Sequence, residues 1–126
     1  LITSRSQKDR DFITANVSNK NNIRFLEKAV DGLELVNAAD IVLSGGGTMN
    51  RESALLGTRT FSIFTGKRPY LDEYLAELGR LKFIESKQEI ESISVERITE
   101  KVPYAFNKNI VNEVTDIITE TAGEKK

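Results

Sequence analysis

The chain has 126 residues, of which 39% are hydrophobic and 29% charged; 18 basic and 19 acidic side chains leave a net charge of −1. These values suit one folded domain, exclude a disordered tail and a strongly basic nucleic-acid binder, and leave no apolar run near the ~20 residues of a membrane-spanning helix. With no Cys and no His, any chemistry falls to carboxylates, Lys, Arg, hydroxyls and backbone amides.

Leu1–Thr3 reads as the end of an apolar strand. The charged and apolar regions of a signal peptide are missing, which predicts a cytoplasmic location, and the abrupt start predicts a fragment of a longer protein. Residues 4–22 are polar, with a short helix or loop around Gln7–Ile13, and Lys8, Arg10 and Arg5 read as a solvated basic face. Ile23–Lys28 alternates as a strand does. Asp31 stands three residues before Glu34, the spacing of a helix cap, and Leu33 and Val36 give that helix its apolar side.

Ile41, Val42 and Leu43 then form a run of large aliphatics, which predicts a strand buried on both faces, as in a parallel sheet. Ser44-Gly45-Gly46-Gly47-Thr48 follows, and residues 49–57 read as a helix stopped by Gly57. Thr60–Phe64 is the next strand and Gly66-Lys67-Arg68-Pro69 a loop. Leu71, Tyr74, Leu75 and Leu78 fall at helical spacing over 70–78, closed by Gly79. Leu81–Ile84 is a short edge strand. Ser86 and Glu89 cap a further helix, marked by Ile90, Ile93 and Ile98, and Pro103 breaks the pattern. Ile110, Val111, Val114, Ile117 and Ile118 predict a C-terminal helix over 107–121, and Gly123–Lys126 a polar tail. Strand and helix alternate, so residues 1–126 form one α/β domain: a three-layer, Rossmann-like parallel sheet with helices on both faces.

The glycine run is the strongest local signal. Directly after a buried strand and directly before a helix, Gly45, Gly46 and Gly47 let the backbone turn sharply and approach a ligand. The unpaired first amides of the helix and its dipole favour an anion there, and Thr48 is placed to cap the helix or to donate to a phosphate oxygen. The run reads either as a diphosphate cradle or as a tight turn that needs glycine for geometry only. It is neither G-x-G-x-x-G nor G-x-x-x-x-G-K-[ST]. Glu52, in the same helix, is either a surface charge favoured by the dipole or a bidentate acceptor for vicinal sugar hydroxyls. Lys67 and Arg68 lie after the next strand, on the same edge of a parallel sheet, either as a solvated loop or as cations for phosphate. Tyr70 and Tyr74 read as core or rim aromatics.

From Asp31 to Gly79 the chain resembles the C-terminal half of GT-B fold enzymes. Over most of its length it resembles a mostly archaeal family of unknown function whose members read A-D-x-x-[IV]-x-[AG]-G-G-T-M-x-R-E-[AS]-A-L-L-G-T-P, against Ala39-Asp40-Ile41-Val42-Leu43 through Thr48-Met49-Asn50-Arg51-Glu52-Ser53-Ala54-Leu55-Leu56-Gly57 here. The broader relatives are UDP-N-acetylglucosamine 2-epimerase and the N-acetylglucosaminyltransferase of peptidoglycan synthesis. In the G-x-x-T-x-x-E pattern of the transferase, the Gly matches Gly46 and the Glu matches Glu52, while the Thr falls on Met49, with Thr48 one place earlier. In the epimerase a Glu that resembles Glu52 holds the ribose hydroxyls, and an Arg-Pro in the following loop is similar to Arg68-Pro69. The epimerase also uses a His in this half, which argues against the same epimerisation here, and Arg59 stands where the family has Pro.

The resemblance implies a donor-binding domain for a nucleotide-sugar, UDP-linked, in a GT-B type glycosyltransferase or epimerase-like protein, not catalytic alone. Gly45, Gly46, Gly47 and Thr48 would hold the diphosphate, Glu52 the ribose, and Lys67 or Arg68 would neutralise phosphate charge. No metal or other cofactor is implied, and the partner would be a missing N-terminal domain. The alternative is a non-catalytic Rossmann-like regulatory or protein-interaction module.

Overall fold

A computed structural model describes residues 1–4 and 6–123. Arg5 of the basic cluster and the tail beyond Gly123 lie outside the described residues. The chain runs α1 (Gln7–Asn16), α2 (Gly32–Ala38), β1 (Ile41–Ser44), α3 (Thr48–Leu55), β2 (Arg59–Ser62), α4 (Tyr70–Glu77), β3 (Leu81–Phe83), α5 (Lys87–Glu91) and α6 (Ile110–Gly123). The three strands form a parallel sheet in the order β1-β2-β3. The protein is therefore α/β, as the alternation predicts.

Local signals set the helices. Ser6 caps α1 by accepting from the Asp9 amide, and the Asp9 carboxylate accepts from the Ser6 amide in return. Asp31 and Ser86 cap α2 and α5 by accepting from the Glu34 and Glu89 amides. Gly57 follows the end of α3 with φ +82°, the left-handed position a helix stop uses. A Cβ there would lie 2.6 Å from the Val102 carbonyl oxygen, so glycine also admits the chain segment that crosses behind it.

Alternation within the strands sends Thr60 and Leu81, which are register partners, to one face. On that face Leu81 packs with Ala54 of α3 and Leu75 of α4, flanked by Leu55, Ala76 and Phe83. α3 and α4 pack on the sheet, and α2 packs on α3. Hydroxyls inside this layer are satisfied: Ser53 bonds Thr60 at 2.7 Å, and Thr58 donates to the Val36 carbonyl at 2.9 Å. Between α3 and α4, Arg51 Nε meets the buried Asp72 carboxylate at 2.5 Å.

Several expectations are corrected. The strand read at Ile23–Lys28 is one parallel bridge, Phe25 to Ile2, because the Arg10 guanidinium takes the Leu26 carbonyl instead of a neighbouring strand. Arg10 is thus no solvated cation: it also donates to Ser4 Oγ at 3.1 Å and lies 5.3 Å from the Phe25 ring centroid, fastening α1 to that bridge. β1 is not buried on both faces: Ile41, Val42 and Ser44 are half-buried and Leu43 stays 44% exposed. The helix marked by Ile90 stops at Glu91, short of Ile98.

From there to α6 the chain is irregular and is tied to the amino edge of the sheet. The Ile98 amide donates to Asp40 Oδ1 at 2.8 Å, the Tyr104 amide to the Leu55 carbonyl at 2.7 Å, and Lys101 Nζ to the Ala39 carbonyl at 2.7 Å, to Thr58 Oγ1 at 2.9 Å and to the Asn37 carbonyl. The segment lies across that edge, where a hollow of about 370 Å³ remains between it, Ala54 and Gly79.

Candidate functional site at the carboxyl edge of the sheet

Three loops leave the carboxyl ends of the parallel strands: 45–47 after β1, 63–69 after β2 and 84–86 after β3. In open α/β sheets this edge is where ligands bind.

The first loop is built by glycine. Gly46 and Gly47 have φ +97° and +96°, values that cost an L side chain about 1–2 kcal/mol each. The requirement is torsional. A Cβ at Gly45 or Gly47 would meet nothing within 4 Å, and one at Gly46 would rest on Phe64 Cβ at an ordinary 3.6 Å. Gly47 is the N-cap of α3 and has no side chain to accept from the first turn. Thr48 is the first helical residue, not the cap, and like Gly45 and Gly47 it is exposed. The loop therefore presents exposed backbone and one hydroxyl at the positive end of a helix.

Its amides do not all point outward. Gly46 N–H donates to Ser44 Oγ at 3.3 Å, and that hydroxyl donates to Asn50 Oδ1 at 2.6 Å. Asn50 is completely buried, and its Nδ2 has no hydrogen-bond partner. Thr3, Ser4, Ser44, Gly45, Gly46 and Met49 bound a hollow of about 470 Å³.

A second hollow, of about 390 Å³, lies between the other two loops, lined by Phe64, Thr65, Gly66, Arg68, Ile84 and Glu85. Both volumes fall in the range of small-molecule sites. Arg68 lies here, its guanidinium bonded to the Glu85 carboxylate and stacked 4.0 Å from the Phe83 ring centroid. Phe64 packs against the Cα side of Gly46 and approaches Gly66 closely, so it stands between the glycine loop and Arg68.

Of the residues singled out in the sequence, Gly45, Gly46, Gly47 and Thr48 form one surface and Arg68 sits across Phe64 from it. Lys67 is exposed in the same loop as Arg68. Glu52, half-buried on α3, borders neither hollow. Tyr70 is 82% exposed, and Tyr74 reaches Tyr104, hydroxyl to hydroxyl, at 3.4 Å. That bond, chiefly, holds the Tyr74 phenol above the ordinary tyrosine value. Sequence reading missed Ser44, Asn50, Phe64, Asp72 and Glu85. Of these only Ser44 carried a usable signal, since it directly precedes the glycine run.

The comparisons with known proteins bear on the whole chain. The model of a family described as "Protein of unknown function (DUF354)" matches residues 1–125. The chain belongs to the DUF354 family. Its resemblance to a family of unknown function, read from the glycine run and the segment after it, thus stands as membership. The chain is also similar to an uncharacterised protein of Methanocaldococcus jannaschii, 40% identical over 55 residues. That alignment takes in 44% of this chain and 16% of the length of the archaeal protein. No solved structure matches the chain. Among the described residues of this DUF354 chain, no helix is long and apolar enough to cross a membrane.

Proposed function

We propose that the chain is the donor-binding half of a GT-B type protein, built as a Rossmann-like layered sheet, that holds a UDP-linked sugar at its carboxyl edge and needs a second domain for any transfer or epimerisation. The observation that carries this reading is the β1–α3 turn. Two consecutive glycines at φ +97° and +96° lead into a helix whose cap has no side chain, so the turn leaves first-turn amides for an anion. Gly47 and Thr48 would supply the diphosphate contacts, with Gly45 giving room for approach. Gly46 would contribute its backbone shape, its N–H being committed to Ser44. Glu52 would take the ribose hydroxyls. Arg68 would neutralise phosphate by exchanging Glu85 for the ligand, with exposed Lys67 beside it. The likeness of residues 31–79 to nucleotide-sugar enzymes supports UDP over other nucleotides.

A thermal-shift titration with UDP tests the reading. A ligand at a hundredfold excess over its Kd stabilises the native state by about 2.7 kcal/mol. The melting temperature should therefore rise with millimolar UDP, and no rise at saturating UDP would overturn the proposal. A second reading, a non-catalytic interaction module, is favoured by α6, whose Ile110, Val111, Val114, Ile117 and Ile118 are all exposed. UDP binding by the chain would reject it as the full account.

A further inference from the structure

We infer that Ser44 and Asn50 are positioning residues that aim the glycine loop at an anion, an inference that rests on the phosphate reading above. Two observations carry it. Ser44 Oγ accepts the Gly46 N–H at 3.3 Å while donating to Asn50 Oδ1 at 2.6 Å. Asn50 Nδ2, on a side chain with no exposure at all, has no acceptor.

The first observation is a relay. A hydroxyl turns freely until both its lone pair and its proton are engaged. Asn50 fixes where the Ser44 proton points, and Ser44 in turn pulls the Gly46 amide inward. With that peptide held, Gly46 and Gly47 keep φ +97° and +96°, and the exposed backbone of Gly47 and Thr48 is what remains for a ligand. The second observation concerns Asn50 itself. Buried polar groups are paired as a rule, and an orphan is a liability kept for a reason. Asn50 stands in the first turn of α3, and the side chain that carries the orphan donor is the one that fixes the Ser44 hydroxyl. The arrangement favours a dianionic or polyanionic group, such as a diphosphate, over a neutral ligand.

The test uses inorganic pyrophosphate as probe, with calorimetry for affinity and amide exchange at Gly46 for the relay. Ser44→Ala should weaken pyrophosphate by roughly five- to tenfold, the scale of one lost ordering bond, and should speed Gly46 exchange. Ser44→Thr keeps the hydroxyl and should rescue both. Asn50→Leu removes the acceptor of the Ser44 hydroxyl along with the orphan donor, so it should weaken pyrophosphate and speed Gly46 exchange as Ser44→Ala does. If wild type binds pyrophosphate and Ser44→Ala binds it equally with unchanged Gly46 exchange, the inference is overturned while the phosphate reading stands. If wild type binds neither pyrophosphate nor UDP, both fall together.

Discussion

Arg51 and Asp72 offer the sharpest test of how the two loop-bearing helices are held. Asp72 is 1% exposed in its side chain, Arg51 is 29% exposed, and Nε to Oδ1 is 2.5 Å. Arg51→Met removes the cation and leaves a carboxylate that water cannot reach. Breaking a buried pair from one side costs about 3–5 kcal/mol. The lower end applies, because Asp72 lies in the first turn of α4, where the helix dipole still offsets about 0.3–1 kcal/mol of its charge. The expected loss is therefore about 3 kcal/mol, a large share of the ~5–15 kcal/mol that holds a domain. In Arg51→Met with Asp72→Leu, no buried charge is left and apolar groups fill the space. That double variant should return to within about 1 kcal/mol of wild type, so the second substitution recovers at least ~2 kcal/mol of the first one's loss. Urea unfolding of the chain, with the slope checked for constancy, reads all three values. A single variant within ~1 kcal/mol of wild type, or a double variant no better than the single, would refute the reasoning, because the carboxylate would then have found water or another partner.

Glu52→Gln should lower UDP affinity roughly tenfold, since a charge-assisted bond becomes a neutral one, and should barely alter pyrophosphate binding; equal losses by calorimetry would remove the ribose role. Gly57→Ala should destabilise by about 2–4 kcal/mol, from a left-handed φ and a Cβ pressed on the Val102 backbone; a normal melting curve would show that the crossing segment gives way. Tyr104→Phe should bring the Tyr74 phenol down toward its ordinary value in an ultraviolet titration, because the Tyr104 hydroxyl is the first cause of its rise. The folded phenol holds its proton more tightly than the unfolded one, so this contribution is present below the ordinary tyrosine value and is lost as pH climbs through the raised one.

The helices were legible because their signals are local. Asp31, Ser86, Gly57 and Gly79 each mark an end, and each end falls within about two residues of its place in the fold. What covers and pairs a strand is set by elements far along the chain, so Leu43 read as fully buried although it stays 44% exposed. For the same reason Ile23–Lys28 read as a strand yet keeps a single bridge. Arg10 read as a solvated charge, and nothing in the sequence marked Asp72. Only the fold brings Phe25 beneath the first and Arg51 against the second. In the candidate site, the glycine run announced its own geometry. The Ser44–Asn50 bond spans the turn itself and has no spacing rule that distinguishes it from two unrelated polar residues.

Two of the three loops at the carboxyl edge begin with the same device. Ser44 and Ser62 are register partners at the ends of β1 and β2, and each accepts the amide two residues on, Gly46 at 3.3 Å and Phe64 at 3.4 Å. A strand end that satisfies its own next amide fixes the direction in which the chain departs. Both loops therefore leave the sheet in set directions, side by side, and their second residues meet: Phe64 Cβ lies 3.6 Å from where a Cβ of Gly46 would stand. The pairing is asymmetric in its products. After Ser44 the chain offers bare backbone and the start of α3, a surface suited to oxygen anions. After Ser62 it offers an aromatic wall, with Arg68 and Glu85 behind it. On the function proposed above, the diphosphate would lie on the first surface with Arg68 drawn toward it, and the sugar would lie against Phe64. Pyrophosphate and a nucleotide-sugar should therefore differ in their response to Phe64→Ala, the sugar-bearing ligand losing affinity and pyrophosphate keeping it, which calorimetry on one variant can decide.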